Sequence, residues 1–165
     1  MEPNPFRGTK EAVSLADIVA IEQAYGFVLP DDYKAHLLQY NGGWPLRKSF
    51  AEPTQDGKLL LRKISDFKSV KYGPLTLEQS LRSLRASLHN DLVPFGTETG
   101  GDLFVLSVGT EDYGSVYYIS HESYKPPKRT ERQQPRQYGK GVSFLAPSFT
   151  AFLAGLIKVE VPEEE

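Results

Sequence analysis

Hydrophobic positions along this chain change period several times, and each change marks an element. Leu15, Ile18, Ile21 and Tyr25 recur at helical spacing behind Ser14 and Asp17, a capping pair, so the spacing predicts a first helix over about 15–25. Gly26 suits the left-handed position that ends it, with Phe27 placed for the hydrophobic contact just beyond. Pro30 then opens a second helix as its first residue, where the missing donor costs nothing, and Asp31 and Asp32 follow at the positive end of the helix dipole. Tyr33, Leu37 and Tyr40 form its apolar stripe, and Asn41, Gly42 and Gly43 stop it and turn the chain toward Trp44.

Beyond Trp44 the chain turns polar, with a short strand near 49–51 and a hairpin signal at Asp56-Gly57. Leu59, Leu61 and Ile64 follow as a strand, and Phe67 and Val70 continue the same sheet past a bend at Ser65-Asp66. Leu77, Leu81, Leu84 and Leu88 return to the helical period behind Thr76 and Gln79, a capping box, and predict a third helix to about His89, with Arg82 and Arg85 on its polar face. Residues 92–120 alternate apolar runs with glycine-rich turns and read as an antiparallel meander. A short strand over 142–145 and a closing helix capped by Ser148 complete the pattern, the helix turning Phe149, Phe152, Leu153 and Leu156 inward.

The chain has 165 residues, the length of one domain with a real core, and no internal repeat. Absence of cysteine excludes a disulfide framework, a thiolate nucleophile and a cysteine zinc site, and leaves a cytoplasmic location as the expectation. Neither a signal-peptide core nor an apolar run of about 18 residues is present, so no membrane role is expected. The formal charge of −2 is uneven: residues 125–140 carry +5 and the remainder −7. That basic segment, rich in Pro and Gln, is expected to be an exposed or disordered insert over 124–141 that buries no apolar surface. Residues 1–13 read as an extended lead-in and 158–165 as a solvated acidic tail, leaving 14–157 as the single domain.

Candidate chemistry is sparse. Residues 96–102 are no phosphate loop, because Asp102 stands where a lysine would be required; they read as a hairpin turning on Gly101, with Asp102 bonding local backbone. Glu98 with Asp102 supplies too few acids for a hard cation. His36, His89 and His121 lack metal-ligand spacing, no serine-nucleophile elbow occurs, and Asp31 with Asp32 is explained by the helix dipole. No enzyme activity, cofactor or metal is therefore expected. Trp44, the sole tryptophan, either covers the end of the helix pair, the favoured reading, or stands exposed as a binding anchor. Lys128, Arg129, Arg132 and Arg136 would dock an acidic protein, or contact nucleic-acid phosphate with Tyr124 and Tyr138 stacking on bases, or remain solvated; nucleic acid is the least favoured partner.

Four stretches, in order, resemble the SUKH superfamily: IEQAYGFVLPDDYKAHLLQYNGG at 21–43, VPFGTETGGDLFVLS at 93–107, GSVYYISH at 114–121 and APSFTAFLAGL at 146–156. The motif positions are Gly26, Pro30, Asn41, Gly42, Gly43, Gly101 and Asp102. The regular leucine helix over 76–88 and the basic insert depart from the family pattern. The resemblance implies an α+β domain, with a mainly antiparallel sheet packed on helices, that binds a protein without catalysis. Bacterial members of that superfamily are commonly immunity proteins that occupy a cognate toxin domain, and fungal members of the Smi and Knr type are scaffolds in cell-wall synthesis. A toxin domain is the expected partner, a basic nuclease suiting the acidic body, with a regulatory scaffold as the alternative; the oligomeric state is left open.

Overall fold

Strands that are apolar at nearly every position must be covered on both faces, and three such strands form the middle of this protein. The computed structural model describes residues 3–159. In chain order these form β1 (Phe6–Arg7), α1 (Leu15–Tyr25), α2 (Asp31–Gln39), β2 (Trp44–Pro45), β3 (Ser49–Pro53), β4 (Leu59–Lys63), β5 (Asp66–Phe67), α3 (Leu77–Leu84), β6 (Leu92–Thr97), β7 (Leu103–Ser107), β8 (Val116–Ile119), β9 (Val142–Ala146), α4 (Phe149–Ala154) and β10 (Leu156–Ile157). Three antiparallel sheets result, ordered β5-β6-β7-β8-β9, β10-β3-β4 and β1-β2. The class is α+β.

One face of the five-stranded sheet carries Val93, Phe95, Phe104, Leu106, Val116 and Tyr118 into the main core, where α1 adds Ile18 and Ile21, α2 adds Tyr33 and Leu37, and α4 adds Phe149 and Phe152. Phe95 sits among these rings, with its centroid 5.3 Å from Phe149 and 5.5 Å from Phe152, both edge-on. The alternate residues Leu92, Val105, Tyr117 and Ile119 point the other way and pack with Leu88 and Tyr138 in a second cluster. Leu77 and Leu81 belong to the first core and Leu84 and Leu88 to the second. The predicted third helix accordingly stops at Leu84, where its leucines change core, rather than reaching His89.

The helix pair forms as its signals require. Ser14 and Asp17 close a capping box, and Gly26 ends α1 at φ 73° with its N–H on Glu22 O. Glu22 is buried, and its Oε2 accepts from Leu29 N at 2.7 Å, which fixes the chain between the helices. Pro30 is the cap of α2 and not its first residue (φ −58°, ψ 143°), so Asp31 and Asp32 each sit one position earlier than the sequence suggests. Asp32 Oδ2 also accepts from Thr150 N and Oγ1, both at 2.9 Å, and joins the start of α2 to that of α4.

Asn41 does more than stop a helix. Its Nδ2 donates to Glu11 O and Val70 O, and its Oδ1 accepts from Val70 N at 2.6 Å. Gly43 follows at φ 83°, where a Cβ would stand 2.3 Å from Arg7 O, so the glycine lets two backbones touch. The described part of the lead-in is consequently held: Phe6 packs edge-on against His36 at 4.8 Å and Phe67 at 5.0 Å.

Two further expectations are corrected. β4 and β5 lie in different sheets, because the bend after Lys63 lets Ile64 enter the main core and Phe67 pair beside β6. Leu156 leaves the closing helix and, as the first residue of β10, pairs with Phe50 of β3; the preceding Gly155 packs so closely that a Cβ would lie 2.5 Å from the Phe50 ring. Glu160 to Glu165, most of the expected acidic tail, fall outside the described residues.

His36 is the titratable weak point of the core. It is buried among Phe6, Tyr40, Phe67 and Phe149, its Nε2 has no hydrogen-bond partner, and burial pushes its pKa from 6.5 down to about 4. Between those values the unfolded chain binds a proton that the folded chain does not. Stability therefore falls as pH drops from 6.5 toward 4, by up to about 3 kcal/mol from this group. His36→Leu should bring the urea midpoints at pH 6.5 and 4.5 closer together than in the parent; an unchanged difference would remove His36 as the cause.

Candidate docking surfaces

The basic segment is a braced flap. Lys125 and Lys140 pair across its base, N–H to carbonyl in both directions at 3.0 and 2.9 Å, and turns at Lys128–Glu131 and Glu131–Gln134 fold its outer part. Asn90 N donates to Arg132 O at 3.2 Å. His89 Nδ1 accepts from Asp91 N at 3.0 Å, which places its proton on Nε2, 2.6 Å from Gln134 O. Tyr138 is buried, and its hydroxyl donates to Asp112 Oδ2 at 2.6 Å; Tyr117 donates to the same oxygen and Ser107 Oγ to Oδ1. Burial opposes the Asp112 charge, but these three bonds, with Arg136 nearby, outweigh it and hold the carboxyl below its ordinary pKa.

This overturns the expectation that the segment buries nothing. Tyr138 fills the second face of the sheet and Tyr124 packs against the same cluster, with its hydroxyl on Ser87 O. Neither tyrosine is left to stack on a base. Lys128 and Arg129 are exposed on the outer turn, whereas Arg132 is half-buried and its Nε has no partner. Arg136 is exposed at φ 63°. The four basic candidates thus share one flap, and Trp44 is not with them: it stands on β2, toward the β5 edge, while the flap joins β8 to β9. Nor is Trp44 core; the residue is 39% exposed and its ring lies over Gly8.

Gly101 has the positive φ expected of the hairpin, 107°. Asp102, however, bonds across the sheet instead of locally: it accepts from the Tyr118 hydroxyl and from His121 N at 2.9 Å, with His121 Nδ1 at 2.5 Å. That contact raises the His121 pKa, and the three partners lower the Asp102 pKa against the effect of burial.

A surface that the sequence reading missed is the outer face of β10-β3-β4. Register places Ala51 beside Leu61, Pro53 beside Leu59, and Ile157 beside Ser49. On that face Leu59 is 65% exposed, Leu61 49% and Ile157 44%. On the opposite face Phe50 stacks on Phe152 at 5.3 Å, and Arg62 lies over the Tyr118 ring and pairs with Glu52 at 3.0 Å, while Leu60 at the outer end is 42% exposed. The run Leu59-Leu60-Leu61 gave no signal of exposure, since a continuous apolar run ordinarily reads as a strand buried on both faces.

Tyr138 decides whether the flap stays closed. Tyr138→Phe should cost about 1 kcal/mol in urea unfolding, the hydroxyl alone. Tyr138→Ala should cost about 3 to 5 kcal/mol and expose the flap to tryptic cleavage. Equal stability of the alanine variant and the parent would contradict the bracing.

Among the described residues no group of three or more His, Cys, Asp or Glu is placed to hold a metal ion, and no helix is long and apolar enough to cross a membrane. No curated protein matches the chain. A family model described as the SMI1 / KNR4 family (SUKH-1) matches residues 12–155, which take in the helix pair, the whole five-stranded sheet and α4. With a match of that extent laid on this α+β arrangement, the chain belongs to the SMI1/KNR4 family (SUKH-1).

Proposed function

We propose that this chain is a non-catalytic protein-binding domain, an immunity protein that neutralises a cognate polymorphic or contact-dependent toxin in the cytoplasm by direct contact. The observation that carries the reading is the outer face of β10-β3-β4, where Leu59, Leu61 and Ile157 stand exposed beside the open edge of β4. An apolar edge of this kind invites pairing with another chain, and a partner that covers it removes the hazard. Lys58 and Lys63 bracket the leucines, so the matching surface is apolar with acidic groups around it. That rim fits an acidic toxin face better than the basic nuclease suggested by the charge of the body. A second copy fits poorly, because antiparallel pairing about Leu60 sets Lys58 against Arg62.

The same face would serve a regulatory scaffold, and the identity of the partner separates the two readings. Affinity capture from the native host should recover one large polypeptide through a carboxy-terminal toxin domain. Leu59→Ser with Leu61→Ser, both exposed, should weaken binding of that domain about thirtyfold, the loss of roughly 2 kcal/mol typical of an interface anchor, without lowering stability. Unchanged affinity would remove the face from the interface, and recovery only of metabolic or signalling proteins would replace the toxin reading with the scaffold.

The flap is tested separately with Lys128→Glu and Arg129→Glu, which are exposed on the outer turn, rather than with Arg132, which is half-buried, or Arg136, which is exposed but helps hold the Asp112 charge. If the flap takes part, association with the captured partner slows and loses salt dependence. Identical rates would exclude it.

A further inference from the structure

Trp44 forms one wall of a cleft of about 210 Å³ that is also lined by Lys10, Asp66, Phe67, Lys68 and Leu75. Gly8 allows the indole to lie where it does, since a Cβ there would be 2.1 Å from the ring. Lys68 is 9% exposed and its backbone is fixed by donation to Phe95 O at 2.7 Å. Among the described residues no hydrogen bond or ion pair reaches its ammonium. Burial lowers its pKa and Asp66 offsets this only in part. The stem is buried but Nζ is not sealed from solvent, so the ammonium opens onto the cleft, where a partner could reach it.

Size and charge narrow what that partner is. Small-molecule sites enclose roughly 300–1,000 Å³, so this cleft takes a single side chain. Lys10 and Lys68 against Asp66 leave one net positive charge, which matches a carboxylate better than a phosphate dianion. Trp44, Phe67 and Leu75 supply apolar surface for methylene groups.

We propose that the cleft binds an acidic side chain of a peptide segment on a protein partner, with its carboxylate held by Lys68 and Lys10 and its stem against Trp44. This rests on the reading of the chain as a protein-binding domain and adds a second, chemically specific contact to it.

Trp44 is the only tryptophan, so its emission reports occupancy directly. The full chain is titrated with the blocked peptide acetyl-Gly-Glu-Leu-amide, its Gln counterpart, and acetate. A saturable change with the Glu peptide, at least about tenfold weaker with the Gln peptide and in Lys68→Met, is the expected result. Lys68→Met keeps the length and apolar packing of the stem, so its melting temperature should stay close to that of the parent and separate loss of binding from loss of fold. Equal response to both peptides, no response to either, or an undiminished response in Lys68→Met would overturn the proposal; an equal response to acetate would overturn its assignment to a peptide. The titration needs no natural partner, so its failure would leave capture through the β10-β3-β4 face untouched.

Discussion

The structure depends on β6, β7 and β8 being apolar at nearly every position. Strands of that composition cannot leave a face in water, and each layer of the protein answers that constraint. On one side α1, α2 and α4 bring Ile18, Tyr33, Phe149 and Phe152 against Phe95 and Phe104. On the other side no long helix is available, and the cover is assembled from Leu84 at the end of α3, Leu88 beyond it, and two tyrosines of a segment that is otherwise polar. The basic flap is thus structural before it is anything else, and its charges are displayed on a surface whose underside is fixed.

Polar hubs do the joining that the cores leave undone. Asn41, Asp32, Asp102 and Asp112 each connect segments that are distant in sequence, Glu22 fixes the short link between α1 and α2, and each does so with bonds that satisfy a buried or half-buried group. Asp112 is the hub on which the flap closes. Asn41 is the hub that ties the end of α2 to the amino-terminal segment and to Val70. Two of the exposed candidate surfaces, the flap and the apolar face of β10-β3-β4, are therefore presented by different parts of a single braced frame.

Much of this frame was legible from the chain. Capping pairs at Ser14 and Thr76, Gly26, and the Asp56-Gly57 hairpin all appear where local chemistry put them, because each is decided within a few residues. Four family-like stretches pointed to the right family over nearly the whole domain. What was not legible depends on distant neighbours. Nothing local says that Tyr138 will find Asp112 across 26 residues, or that Asp102 will serve Tyr118 and His121 rather than its own turn. The setting of Lys68 in a cleft beside Trp44 and the exposure of three consecutive leucines are visible only once the sheets are in place.

Amide hydrogen exchange on the free protein tests most directly whether the basic flap covers the second face. If the flap is closed on Asp112 and His89, the amides of Lys125, Lys140 and Asn90 exchange far more slowly than unstructured chain, and those of Tyr117 and Val105 approach the protection of global unfolding. Exchange of 125–140 at the unstructured rate, with Tyr117 and Val105 still protected, would show that the sheet does not need this cover and would contradict the account.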